Sequence, residues 1–150
     1  MGSLTLKFEP FDAGYGELIA TVVSDGFAGV GSAWIEHATL LAFADRLSEY
    51  PLKGAPPPSI SGRHLSLAEE DPSLSFRVTP HGARGGICVW VELAAYARHP
   101  APHMPDSKVR TGFVVTYTDL ERFQRGLRRL VKGDAEEAVL TRQTAEVDTF

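Results

Sequence analysis

The chain has 150 residues, 43% of them apolar and 23% charged, with a formal net charge of −4 and a pI near 5.7. This balance excludes a disordered or fibrous protein, and the length lets one domain bury a core without disulfides or metals, since chains of this size hide roughly 70% of their unfolded surface. Mild acidity argues against nucleic acid as the main ligand, because phosphate is usually neutralised by a basic face, and it suits a basic partner.

Cys88 is the single cysteine, which precludes an internal disulfide and agrees with a reducing compartment. No basic region followed by an apolar stretch opens the chain, and no window approaches the roughly 20 apolar residues of a membrane helix. A cytoplasmic protein without membrane contact is expected.

Leu4, Leu6 and Phe8 alternate with Thr5, Lys7 and Glu9, the mark of a half-buried strand. Residues 10–16 make a turn, and residues 16–25 read as a longer strand, apolar on both faces and therefore central. The two should form a hairpin. Asp25 and Gly26 signal a tight turn, and Gly29 and Gly31 in the next strand predict a bulge or a close backbone approach before Trp34. A first helix over about 37–49 turns Leu40, Phe43, Ala44 and Leu47 inward, and Pro51 and Gly54 stop it. So short a helix must dock, and burying four or five such side chains contributes of order 10 kcal/mol before entropy.

The run Ala55, Pro56, Pro57, Pro58 is an extended spacer, too short for a domain linker. Residues 60–67 read as a short strand with an irregularity at Gly62, followed by an acidic turn, 68–72. Leu74, Phe76 and Val78 alternate with Ser75, Arg77 and Thr79 in an amphipathic strand. Ile87, Val89, Val91 and Leu93 face one way and Cys88 and Trp90 the other, with little polar surface, which places this strand mid-sheet. Residues 98–106 hold three prolines and two histidines and form a loop. Phe113, Val115 and Tyr117 continue a strand over 109–117, and Thr118, Asp119, Leu120 and Glu121 supply a capping box. Leu120, Phe123, Leu127, Leu130 and Val131 then follow at helical spacing.

The strand-to-helix layout occurs twice, with Leu40/Phe43/Leu47 matched by Leu120/Phe123/Leu127. Strand runs outnumber helices and short turns join them. The expected fold is α+β: a mainly antiparallel, curved sheet of about six to seven strands with two helices packed on one face. Residues 1–133 form one domain and 134–150 a C-terminal tail, in which 134–140 fits one or two helical turns and 141–150 looks loose.

The residues give no catalytic constellation: no paired carboxylates, no Ser/His/Asp elbow and no dinucleotide fingerprint. His99 and His103 have a zinc-like spacing, but Pro100, Pro102 and Pro105 interleave them and prevent helical presentation, so no metal is expected. His37, His64 and His81 read as surface or capping residues, and Cys88, between Ile87 and Val89, as an inert packed thiol. The glycine-rich run 80–86 carries Arg84 and has groups to hold an anion, but it lacks a P-loop's lysine and reads first as a hairpin turn. Arg122, Arg125, Arg129 and Lys132, with Arg128 beside them, form a basic stripe on the second helix, and Glu69, Glu70 and Asp71 an acidic tip. Either set suits a protein partner, and each is also explained as a solvated surface.

The two cassettes, with residues 27–34 (Phe-Ala-Gly-Val-Gly-Ser-Ala-Trp) and 114–120 (Val-Val-Thr-Tyr-Thr-Asp-Leu), resemble the small bacterial WapI-type immunity proteins over most of residues 4–132. The proline-rich loop 100–105 and the C-terminal tail depart from that layout. The resemblance implies a cytoplasmic protein that neutralises a cognate toxin by binding, with no cofactor. The leading expectation is a non-catalytic binding protein with a protein partner, a toxin domain by the resemblance. The partner-binding candidates are Glu69, Glu70, Asp71, Arg122, Arg125 and Arg129, and a homodimer is compatible with the sequence. The alternative is a small-molecule-binding protein or enzyme with a pocket between sheet and helices, walled by Trp34, Trp90 and Tyr117.

Overall fold

A computed structural model describes residues 2–12, 14–52, 55–63, 72–95 and 107–143. Three antiparallel strands come first: β1 (Gly2–Asp12), β2 (Tyr15–Ser24) and β3 (Phe27–Glu36). The tight turn between β2 and β3 falls on Asp25 and Gly26, both with positive φ, 50° and 89°, the backbone twist that lets two strands reverse over two residues. Helix α1 (His37–Leu47) follows β3 directly, then β4 (Ser59–Gly62), β5 (Leu74–His81), β6 (Gly86–Ala95), β7 (Ser107–Thr116), helix α2 (Tyr117–Lys132) and β8 (Ala138–Thr141). Pro80 is tolerated in β5 because its nitrogen faces the side of β4, whose pairing with β5 ends at Arg77.

Alternation within each strand matches the expectation, and both β2 and β6 are central as their two-sided apolar character requires. The expected single sheet is corrected: the eight strands divide into two four-stranded sheets, ordered β3-β2-β1-β8 and β4-β5-β6-β7. Alternation states which side of a strand is apolar; it does not state which sheet the strand joins. Each cassette crosses between sheets. The edge strand β3 leads through α1 to β4 at the far edge of the second sheet, and the edge strand β7 leads through α2 to β8 at the far edge of the first. The chain is thus built as two β-β-β-α-β halves that exchange their last strands, which gives the recurring Leu-x-x-Phe-x-x-x-Leu helices a structural meaning.

Residues 134–140 are corrected in the same way. Ala138 and Leu140 alternate inward from β8 and pair with Leu6 and Leu4 of β1, so 138–141 is a half-buried strand, and 134–137 is irregular with no helical turn. Four residues have too few alternations to announce a strand in the sequence, and the bonds that make it one come from the opposite end of the chain.

The inward faces of both sheets and both helices form one core, including Leu4, Leu18, Leu40, Phe76, Val89, Phe123 and Leu127. α1 buries Leu40, Phe43, Ala44 and Leu47 as its periodicity predicts, and α2 buries Leu120, Phe123, Leu127 and Leu130. The two helices pack on each other and on both sheets, and Arg128 of α2 closes an ion pair of 2.8 Å with Asp45 of α1. Gly29 and Gly31 mark a close approach with no bulge, since β2 and β3 stay in register from Tyr15/Glu36 to Ser24/Phe27. A Cβ on Gly31 would sit 2.9 Å from the Ser73 carbonyl oxygen and 3.1 Å from the Leu93 Cβ, so side-chain-free backbone is what lets β3 lie against the second sheet.

The capping box lies two residues earlier than Thr118 and Glu121 suggest. Thr116 is the N-cap: its hydroxyl accepts from the Asp119 amide at 3.2 Å, and the Asp119 carboxylate accepts from the Thr116 amide at 2.9 Å. Both Thr-x-x-acid spacings fit a box in one dimension. In the earlier one Asp119 also takes the Arg122 guanidinium, one turn along the helix, and a tertiary partner, the Gln143 amide beyond β8.

Candidate functional site

The basic stripe is largely engaged within the protein. Arg122 bonds Asp119 at 3.3 Å, Arg125 bonds Glu121 at 3.3 Å, and Arg129 donates to the Asp134 carbonyl at 3.3 Å. Glu69, Glu70, Asp71, His64, His99 and His103 lie outside the described residues. His37 is half-buried, not a surface residue: its ring packs edge-on against Phe8 with centroids 5.2 Å apart. Among the described residues no group of three or more His, Cys, Asp or Glu side chains converges to hold a metal ion.

Burial by itself would raise the Asp119 carboxyl. Hydrogen bonds from the Thr116 amide and hydroxyl, the Gln143 amide and Arg122 outweigh it and hold the group below the usual aspartate range. The site is structural: it ties the start of α2 to the chain leaving β8. Cys88 stands on the outer face of the second sheet, and burial pushes its thiol up against the smaller opposing pull of Arg77. A raised thiol holds little thiolate at neutral pH, which makes it a poor nucleophile.

Trp34, Trp90 and Tyr117 do not share a pocket. Trp90 lies on the outer face of β6, 43% exposed, with Arg77 over its ring at 4.9 Å and its indole N–H donating to the Thr79 hydroxyl at 2.9 Å. Tyr117 opens α2, stacks edge-on with Tyr50 and accepts from the Leu52 amide at 2.8 Å. Trp34 joins Phe11 and Tyr15 in a cluster at the end of the β1–β2 hairpin, with centroids 5.4–5.8 Å apart. Between the sheets and helices, where the alternative reading places its pocket, Leu4, Phe43, Phe76, Phe123 and Leu140 surround a void of about 10 Å³, at the lower limit for holding one water.

The outer faces of the two sheets differ in kind. That of the second carries charge, including Arg77 and the Glu92–Arg110 ion pair of 3.1 Å, as a solvated sheet face should. That of the first is uncharged across two consecutive cross-strand rows. The register aligns Thr141, Ser3, Val23 and Ala28 in one row and Val139, Thr5, Thr21 and Val30 in the next. Val30 is 60% exposed, Val23 47% and Val139 39%. Lys7, Ile19 and Ser32 follow, then Glu9, Glu17 and Trp34, so charge returns only at the margin, beside the Phe11, Tyr15 and Trp34 cluster.

The sequence does not disclose this face, because Val23 belongs to a strand that reads as apolar on both faces and central, and the strand of Val30 reads only through its glycines. The signal was present in the run of β-branched residues. What it lacked was a way to tell a covered second face from an open one. No helix of the described residues is long and apolar enough to cross a membrane. Compared with family models, with curated proteins and with solved structures, the chain matches none, which leaves its own surface chemistry to carry the functional reading.

Proposed function

We propose that this chain is a non-catalytic protein-binding module, an immunity-type protein that neutralises a cognate bacterial toxin by direct binding, and that the outer face of the first sheet is where the partner seats. One observation carries the reading: eight uncharged residues in two rows spanning all four strands, with Val23 exposed on the inner strand β2, Val30 and Val139 exposed on the two edge strands, and charged residues at the margin. Depletion of charge at the centre with a charged rim is the composition of a protein–protein contact, and exposed valines among uncharged hydroxyl residues on a sheet face suit a partner that covers them. The exposed Phe11, rigidified by Tyr15 and Trp34, adds an aromatic anchor of the kind that dominates binding energy. The resemblance of the strand-helix cassettes to WapI-type immunity proteins supplies the class of partner.

The test is capture of a toxin domain encoded beside this protein by the purified chain, with Val23→Lys and Val30→Lys as variants. Both positions are solvent-exposed, so each substitution should leave stability within about 0.5 kcal/mol while weakening capture by two or more orders of magnitude, as an unpaired charge in an interface core does. Unchanged capture by folded variants would remove this face from the reading. Dimers in light scattering that dissociate in Val30→Lys would assign the face to a second copy of the chain instead.

A further inference from the structure

We propose that the concavity beside the β5–β6 hairpin binds the phosphate group of a small phosphoester. It measures about 450 Å³ and lies between the hairpin turn, the end of β7 and the segment after β8, with His81, Arg84, Gly86, Thr116 and Arg142 among its lining residues. That volume falls in the range of small-ligand sites. Among the described residues no carboxylate lines it, although the protein as a whole is acidic at −4.

The arginines single this place out. Arg46, Arg110, Arg122, Arg125 and Arg128 are in ion pairs, Arg77 lies over Trp90, and Arg129 is on a carbonyl. Arg84 and Arg142 have no carboxylate partner among the described residues, and both line this one concavity from segments nearly sixty positions apart in the chain. Two guanidinium groups facing one concavity repel each other, and an oxyanion bound between them relieves that repulsion with paired N–H donors matched to phosphate. Residues 82–85 lie beyond the last ladder pair, His81 with Gly86, so their amides are outside the sheet bonding; positive φ at Gly82 (72°) and Gly85 (82°) curls that backbone into a turn. Thr116, which lines the concavity, bonds Asp119, whose carboxylate oxygens are occupied by Thr116, Arg122 and the Gln143 amide. The site shares no residue with the uncharged sheet face, so either assignment stands or falls without the other.

The test is an amide chemical-shift titration of the full chain with inorganic phosphate and with adenosine monophosphate, using adenosine as the uncharged control. Both phosphate probes should shift the amides of Gly82, Gly85 and Gly86. The double variant Arg84→Ala/Arg142→Ala should bind at least about tenfold more weakly, while Arg63→Ala, which removes an arginine outside the concavity, should bind as the parent does. Hairpin amides that do not move with either phosphate probe, a response to adenosine equal to that of the monophosphate, or full binding by the folded double variant would each overturn the assignment.

Discussion

Replacing Asp119 by Asn tests how the second half of the fold is held together. The wild-type carboxylate, 4% exposed, accepts from the Thr116 amide (2.9 Å), the Thr116 hydroxyl (2.9 Å), Arg122 (3.3 Å) and the Gln143 amide (3.3 Å). An amide of the same shape has one acceptor oxygen, and its NH₂ group must face donors. The loss comprises the capping box, about 1 kcal/mol, and the charge-assisted contact to the Gln143 amide, about 1–2 kcal/mol, while half-exposed Arg122 returns to water at little cost. The expected destabilisation at neutral pH is about 2–3 kcal/mol, or roughly 4–12 °C in Tm for a chain of this size. The sign of the pH dependence follows from the lowered carboxyl. A group with its folded pKa below its unfolded value contributes stability that is complete above the unfolded pKa, about 4, and that is lost as pH falls through the folded value. The gap between wild type and Asp119→Asn should therefore be full at pH 7 and close progressively in acid below about pH 4. Urea unfolding of both proteins at a series of pH values measures it. A gap that is under 0.5 kcal/mol at pH 7, or that stays constant into acid, would refute the argument. Thr116→Ala should cost about 1 kcal/mol and Thr118→Ala almost nothing; the reverse order would restore the later capping box.

Three further outcomes follow from the packing and the chemistry. Leu140→Ala should cost about 2–5 kcal/mol, and a chain ending at Gly133 should lose cooperative unfolding, because β8 covers Leu4 and Leu6; a truncated chain with the parent's urea midpoint would deny β8 its place in the core. Gly31→Val should destabilise by about 1–3 kcal/mol, since its Cβ meets the Ser73 carbonyl, which is backbone, and the Cβ of the buried Leu93; thermal denaturation within 1 °C of the parent would show that β3 can shift. Cys88 should react with iodoacetamide more slowly than a free thiol at pH 7–8, and more slowly still in Arg77→Ala, which removes the one charge that favours the thiolate; labelling at the free-thiol rate would contradict the raised thiol.

Much of this molecule is legible along the chain. The inward residues of α1 and α2 match their periodicity, β1 and β2 make the expected hairpin, the Asp25–Gly26 turn takes the backbone its residues favour, and Gly29 and Gly31 mark a real close approach. These are short-range matters, in which a residue's own conformational preference and its neighbours three or four positions away decide the outcome. The partner-binding candidates were chosen by charge alone. Of those within the described residues, Arg122, Arg125 and Arg129 are bonded within the protein. The uncharged face has no local signature, because it needs the register of four strands, and the concavity has half of one: the run 80–86 with Arg84 reads as able to hold an anion, while Arg142 joins it from 58 residues away in sequence.

The amino-acid order by itself determined where both helices and the strands other than β8 form and which side of each is apolar, because alternation, helical spacing and turn chemistry act within a few residues. Only the tertiary structure decided that the strands divide into two sheets, that the halves exchange β4 and β8, and which apolar sides remain open. A side chain's preference for leaving water is set where it stands in the chain, but whether another layer arrives to cover it depends on contacts between segments that are far apart in sequence.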